Sequence, residues 1–144
     1  MRTVAMLLQE KGDQVYTVGP ETSVLEALKT MAEKNIGAVL VLENDEVVGI
    51  FSERDYARKG ELNDRQAEST RVREVMTDQV ICVSADQSVE ECMAIMTTRR
   101  FRHLPVLVEN RLAGIISIGD VVKSVISEQK FLIEQLEEYI TLPR

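Results

Sequence analysis

One histidine and two cysteines are all the imidazole and thiol chemistry this 144-residue chain holds. A protein zinc site takes about four side-chain ligands, or about three plus water, and His103, Cys82 and Cys92 show no metal-ligand spacing. No metal requirement is expected. Cys92 falls on the apolar side of a predicted helix and Cys82 in a predicted strand. Both read as small packing residues in a reducing compartment, not as a disulfide or a nucleophile. Long apolar runs are missing too: none approaches the roughly 18–20 residues that cross a bilayer. The first thirteen residues carry one short apolar patch, Val4–Leu8, without the pattern of a secretory signal, so the expected location is the cytoplasm. Basic charge is in deficit, with 17 Lys and Arg against 24 Asp and Glu and a net charge of −7. That balance gives no general attraction for a nucleic-acid polymer or an anionic membrane. Nor is any nucleophile paired with a base, so the sequence does not read as an enzyme.

What is present is an apolar fraction of 44%, enough for one real core, and an internal repeat. Shifted by 65 positions, Val15–Lys59 lies over Val80–Ser124 without a gap, with twelve of 45 positions identical. Each copy starts with a β-rich run, Val15–Val18 or Val80–Val83. A helix follows, opened by the capping boxes Ser23-x-x-Glu26 and Ser88-x-x-Glu91. Its apolar face is Val24, Ala27, Leu28 and Met31 in the first copy, and Val89, Cys92, Met93 and Met96 in the second. The first of these helices is expected to end near Asn35–Gly37, with glycine in the left-handed conformation. Two strands then form a hairpin, Ala38–Leu42 with Val47–Ser52, and Leu104–Val108 with Leu112–Ser117. A second helix begins at Glu53 or Ile118.

The predicted class is therefore α+β, an α/β sandwich of two β-α-β-β-α repeats. One repeat alone leaves a sheet face uncovered, so the two are expected to pack through their sheets. Residues 1–65 form the first repeat, and 66–144 the second with a long C-terminal helix; polar Gly60–Arg71 is the connector. That helix, predicted over Gly119–Leu142, repeats apolar residues at Val122, Val125/Ile126, Leu132/Ile133, Leu136 and Tyr139/Ile140. Its tail, Phe131–Ile140, overshoots a small sandwich and is expected to pack on a second subunit; folding back on its own domain is the alternative.

Each copy ends its last strand in Gly-Ile-apolar-Ser-x-x-Asp: Gly49–Asp55 and Gly114–Asp120. Ser-x-x-Asp at a helix start can simply be a capping box, with the acid at the positive end of the helix dipole. The same geometry also offers free amides and a hydroxyl to a phosphate, and a two-oxygen carboxylate to a ribose diol. Its duplication in register favours ligand binding.

With these motifs the chain resembles the cystathionine-β-synthase (CBS) domain family over about 125 of its 144 residues. Ser52–Lys59 and Arg102–Val106 look like its stand-alone bacterial and organellar members. The resemblance implies a pseudo-twofold pair of repeats with two clefts for adenine nucleotides. AMP comes first, NAD(H) or ATP are possible, and S-adenosylmethionine is a further family ligand. It assigns Ser52, Asp55, Ser117 and Asp120 to phosphate and ribose, with Ile50 and Ile115 beside them in the motif. Arg102, His103 and Leu104 of the second copy, and Gly37, Ala38 and Val39 of the first, would line the clefts. Val15 and Tyr16 would face the Asp120 site, and Val80 and Ile81 the Asp55 site. Arg102 and His103, standing where the first copy has Gly37 and Ala38, mark the Asp120 site as the better one. Arg54 touches ligand or forms a surface ion pair. The implied function is a nucleotide sensor, homodimeric through the C-terminal helix, that signals to an unknown regulated protein; the alternative is a ligand-independent structural dimeriser.

Overall fold

The computed structural model describes residues 2–141, with side chains as far as residue 138. It is a mixed α+β chain of two compact units, each built on a three-stranded sheet. One unit is Gln14–Ile81. The other joins the N-terminal segment through Asp13 to the chain from Cys82 onward.

In the first unit, β1 (Thr17–Val18) pairs parallel with β2 (Ala38–Glu43), which pairs antiparallel with β3 (Glu46–Ser52). Asn44 and Asp45 both take positive φ, 52° and 64°, the two-residue turn whose twist suits a tight hairpin. The ladder slips register after Val41, so Val48 bulges and Gly49 comes opposite Val41. Helix α2 (Val24–Lys34) starts at Ser23, whose hydroxyl accepts from the Glu26 amide, and buries Val24, Ala27 and Met31 as its spacing predicts. The left-handed residue that ends it is Asn35, φ 55°, not Gly37. Asparagine tolerates that conformation, and Gly37 is left to a different use below. With Val39, Val41 and Phe51 these residues form a core closed by Val72 and Val75.

Val72 and Val75 belong to α4 (Val72–Val75), a four-residue helix after the connector. The Val72 amide donates to Thr22 O at 2.8 Å and the Val24 amide to Thr70 O at 2.9 Å. The predicted helix after Ser52 is broken: α3 (Glu53–Asp55) passes into a π-turn at Tyr56–Gly60 and a 3₁₀ turn at Glu61–Asn63.

The second unit repeats the plan. Here β4 (Val83–Ser84), β5 (His103–Val108) and β6 (Arg111–Ser117) form the sheet, and the ladder slips at the equivalent place, leaving Ala113 as the bulge. Helix α5 (Val89–Arg99) buries Val89, Cys92 and Met96. Burial pushes the Cys92 thiol up to about 11, in keeping with a packing role. Cys82 is exposed and lies just outside β4, although partial burial still pushes its thiol up.

The unit is completed by α1 (Val4–Lys11), where only an apolar patch was read. Thr3 caps it, the Val4 and Ala5 amides donate to Gln87 O and Ala85 O, and Val4, Leu7 and Leu8 are buried. The compact units thus divide the chain differently from the expected 1–65 and 66–144. The segment before each repeat, α1 or α4, completes the unit of the other repeat.

Helix α6 (Ile118–Thr141) runs 24 residues and packs on α5, β6 and α1. Its inward face is Val121 and Ser124, while Val122 and Ile126 of the predicted stripe are exposed. The side chains of Tyr139 and Ile140, and all of Leu142, lie outside the described residues.

Candidate functional site

Both Ser-x-x-Asp motifs sit where the last strand turns into a helix, and both are capping boxes. In the first unit the Ser52 hydroxyl accepts from the Asp55 amide at 3.1 Å, and the Ser52 amide donates to Asp55 Oδ2 at 3.0 Å. In the second the matching distances are 3.1 Å from the Asp120 amide to Ser117 Oγ and 2.8 Å from the Ser117 amide to Asp120 Oδ2. Capping therefore accounts for the pattern locally. What differs is the rest of each carboxylate.

Asp55 is engaged on both oxygens. Oδ2 also accepts the Ser52 hydroxyl at 3.0 Å, while Oδ1 accepts the Thr77 hydroxyl at 3.0 Å and faces Lys59 Nζ at 3.6 Å. Thr77 is fixed by a reciprocal backbone bridge to Ile50. Asp120 is loaded on one side only. Lys11 Nζ lies 2.6 Å from Oδ2, which already takes the Ser117 amide, and the Ser117 side chain also bonds the carboxylate. A carboxylate oxygen can accept about two hydrogen bonds. Oδ1 of Asp120 thus keeps acceptor capacity. Burial, the largest influence on Asp120, opposes its ionisation. The Lys11 and Ser117 hydrogen bonds and the Lys11 charge together outweigh burial and hold the carboxyl below its ordinary value.

The residues before β2 and β5 are tied to these motifs. The Glu53 amide donates to Gly37 O at 3.1 Å and the Ile118 amide to Arg102 O at 2.9 Å. Ala38 stands opposite Ser52 in the ladder, and His103 opposite Ser117. So Arg102, His103, Ser117 and Asp120 come together in the second unit, and Gly37, Ala38, Ser52 and Asp55 in the first. A Cβ on Gly37 would lie 3.8 Å from Glu53 Oε1, so the first grouping has an acid where the second has Ile118. Arg54 follows Glu53 on exposed α3.

The other expected residues range from core to half-buried. Leu104 and Val39 are fully buried core, and Ala38 and Ile50 are buried at the edge of theirs. Ile115 remains half-buried, and its carbonyl accepts from Lys11 Nζ at 2.8 Å. Val80 and Ile81 are half-buried and share the Asp55 unit. Val15 and Tyr16 belong to that unit as well, not to the unit of Asp120. The Tyr16 hydroxyl donates to Gln14 Oε1, and Lys34 Nζ sits 5.3 Å from the ring centroid.

Sequence reasoning missed Lys11, Lys59 and Thr77. A signal was available: Asp13-Gln14-Val15 repeats as Asp78-Gln79-Val80, which extends the repeat upstream and sets Lys11-Gly12 over Met76-Thr77.

Known proteins resemble this chain in sequence and fold. Residues 12–61 and 72–127 each match the CBS domain. The mitochondrial CBS domain-containing protein CBSX3 of Arabidopsis thaliana is 37% identical over 125 residues, 83% of this chain and 61% of that protein's length. The structure of a protein with CBS domains from Burkholderia ambifaria superposes with a TM-score of 0.83 at 52% identity, covering 88% of this chain and 96% of that one. The CBS domain pair of protein MJ0100, solved with 5-methylthioadenosine and S-adenosyl-L-methionine, has a TM-score of 0.77 at 22% identity over 89% and 98% of the two chains, a likeness of fold. The duplicated sheet-and-helix units, their paired Gly-Ile-x-Ser-x-x-Asp turns and these matches together place the chain in the CBS domain family, with two repeats.

Proposed function

We propose that this chain is a regulatory module that binds an adenine nucleotide and reports its presence to a partner protein, without catalysing a reaction on it. One observation carries the reading. The Asp120 carboxylate is held at a strand-to-helix turn with Oδ1 available, beside Ser117 and the backbone-anchored Arg102. A carboxylate with spare acceptor capacity suits the two hydroxyls of a ribose, and an arginine near a helix start suits a phosphate. The adenosine ligands of the MJ0100 pair support the same class. AMP is the first candidate, with NAD(H) or ATP behind it. The Asp55 site is the weaker of the two, because its carboxylate is already satisfied on both oxygens by its own chain.

A ligand of micromolar affinity supplies about 8 kcal/mol, and only the part that differs between two conformational states can move a partner. The assembly we propose is a homodimer through the tail of α6, where Phe131, Leu132, Ile133 and Leu136 are each more than half exposed. That apolar tail also favours a second reading, a ligand-independent dimeriser. The cytoplasm is the proposed location; no helix among the described residues is long and apolar enough to cross a membrane.

The test is calorimetry with AMP, ATP, NAD, NADH and S-adenosylmethionine on the wild type, Asp120→Ala and Asp55→Ala. The reading expects one adenylate to bind and to be lost chiefly with Asp120. Absence of heat with every ligand, on folded protein free of copurified nucleotide, leaves the dimeriser.

A further inference from the structure

Lys11 is not a loose surface lysine. It is the last residue of α1, where a cation suits the negative end of the helix. The helix is fixed on both flanks: Leu8 seats against Gly114, and Gly12, at φ 99°, closes the helix with its amide on Leu8 O. From there the ammonium reaches Asp120 Oδ2 and Ile115 O together, with the Lys11 and Asp120 side chains 30% and 25% exposed. The first unit has no counterpart. Its α4 offers Met76 against Gly49 and then the neutral Thr77 hydroxyl on Asp55, and the lysine near that carboxylate, Lys59, comes from the same motif helix at 3.6 Å. The charge balance around the two motifs therefore differs. Asp120 has Lys11 paired on one oxygen and Arg102 anchored one strand away. Asp55 shares its turn with Glu53 as well as Arg54 and Lys59.

We propose that Lys11 sets the ligand class of the Asp120 site, neutralising the carboxylate so that the site takes adenosine ligands bearing phosphate in preference to those bearing a cationic centre. The inference rests on the nucleotide-binding reading and names its ligand charge. A hydroxyl pair still finds an acceptor in Oδ1, since Lys11 draws on Oδ2. A sulfonium or ammonium group gains nothing from a carboxylate already paired with an ammonium and is repelled by Lys11. A phosphate meets a carboxylate already neutralised by Lys11, beside a chain segment that carries Arg102.

Calorimetric titration of the wild type, Lys11→Met and Lys11→Arg with AMP, adenosine and S-adenosylmethionine tests this. Wild type is expected to prefer AMP to adenosine by about tenfold or more, as one charge-assisted contact supplies, and to bind S-adenosylmethionine more weakly than AMP. Lys11→Met should bring AMP and adenosine close together and improve S-adenosylmethionine, while Lys11→Arg keeps the wild-type order. Equal losses for AMP and adenosine in Lys11→Met would show a structural lysine and overturn the proposal. So would a wild type that favours S-adenosylmethionine over AMP, a result that needs no variant to fold. Wild type binding none of the three overturns the nucleotide reading along with this one, whereas binding with an unchanged ratio in Lys11→Met overturns this one alone.

Discussion

Gly49 and Gly114 show what a single residue contributes here. A Cβ on Gly49 would stand 2.6 Å from Met76 Sδ and 3.0 Å from the Thr77 carbonyl, and one on Gly114 would stand 2.9 Å from Leu8 Cδ2. Each glycine lets a short helical segment and its end, α4 at Gly49 and α1 at Gly114, lie close on the hairpin. Backbone cannot yield as a leucine side chain can, so Gly49→Ala is expected to cost about 1–3 kcal/mol and Gly114→Ala less; urea unfolding of the two variants measures both. The glycines were legible in the sequence as part of a repeated motif, but their purpose was not, because their neighbours lie far along the chain. Cys92 and Cys82 divide in the same way. With its thiol buried and raised to about 11, Cys92 should resist a thiol reagent in the native protein, and the exposed Cys82 should react alone; labelling at neutral pH followed by mass analysis counts the modified sites. Asp120 gives a pH prediction. Its native carboxyl is held below the ordinary 3.8, so it contributes stability above that value and loses it as pH falls through the native one. Between about pH 6 and about pH 3, the wild type should lose more stability than Asp120→Asn, read from urea midpoints at each pH.

Among the elements, α2, α5 and both hairpins were readable because helical and alternating apolar periods are local. The burial of Val24, Ala27 and Met31, and of Val89, Cys92 and Met96, follows those periods. Two kinds of element escaped. Helices α1 and α4 are short, and their apolar residues Val4, Leu7, Val72 and Val75 acquire meaning only when another part of the chain covers them. Val4 answers to Val72 and Leu8 to Met76 at a different offset from the rest of the repeat, so the sliding match does not reach them. The stretch after Ser52 was read as one helix. Its α, π and 3₁₀ turns bring the Tyr56 ring within 3.0 Å of where a Gly60 Cβ would stand, and Lys59 Nζ to 3.3 Å from Met76 O. Removing residues 2–11 should unfold the second-repeat unit preferentially, since Val4, Leu7 and Leu8 are buried in it. Hydrogen exchange would show protection falling in β5 and β6 while β2 and β3 keep theirs; equal loss in both sheets would mean α1 does not act through its own unit.

At the scale of the whole molecule, duplication supplies two turns of one design and divergence makes them unequal. Asp55 is satisfied by Ser52, Thr77 and Lys59, whereas Asp120 takes the Ser117 amide and Lys11 on Oδ2 and, among the described residues, keeps acceptor capacity on Oδ1. The sequence showed this asymmetry at Arg102 and His103. It did not show it at the carboxylates, because the partners that set them apart, Lys11 and Thr77, lie upstream of the aligned copies. The exposed tail of α6 belongs to this scale as well. Truncation after residue 130 removes Phe131, Leu132, Ile133 and Leu136, and should convert a dimer to a monomer in sedimentation while nucleotide binding persists. A truncated chain that still sediments as a dimer would place the interface elsewhere. The central claim, that the Asp120 turn receives an adenine nucleotide, is tested most directly by following backbone amide resonances as AMP is added. The largest shifts are expected at Ser117, Ile118 and Asp120, with smaller ones at Ser52 and Asp55, and Asp120→Ala should abolish the larger set. A spectrum unmoved at Ser117 and Asp120 by saturating AMP, ATP and NAD would contradict it.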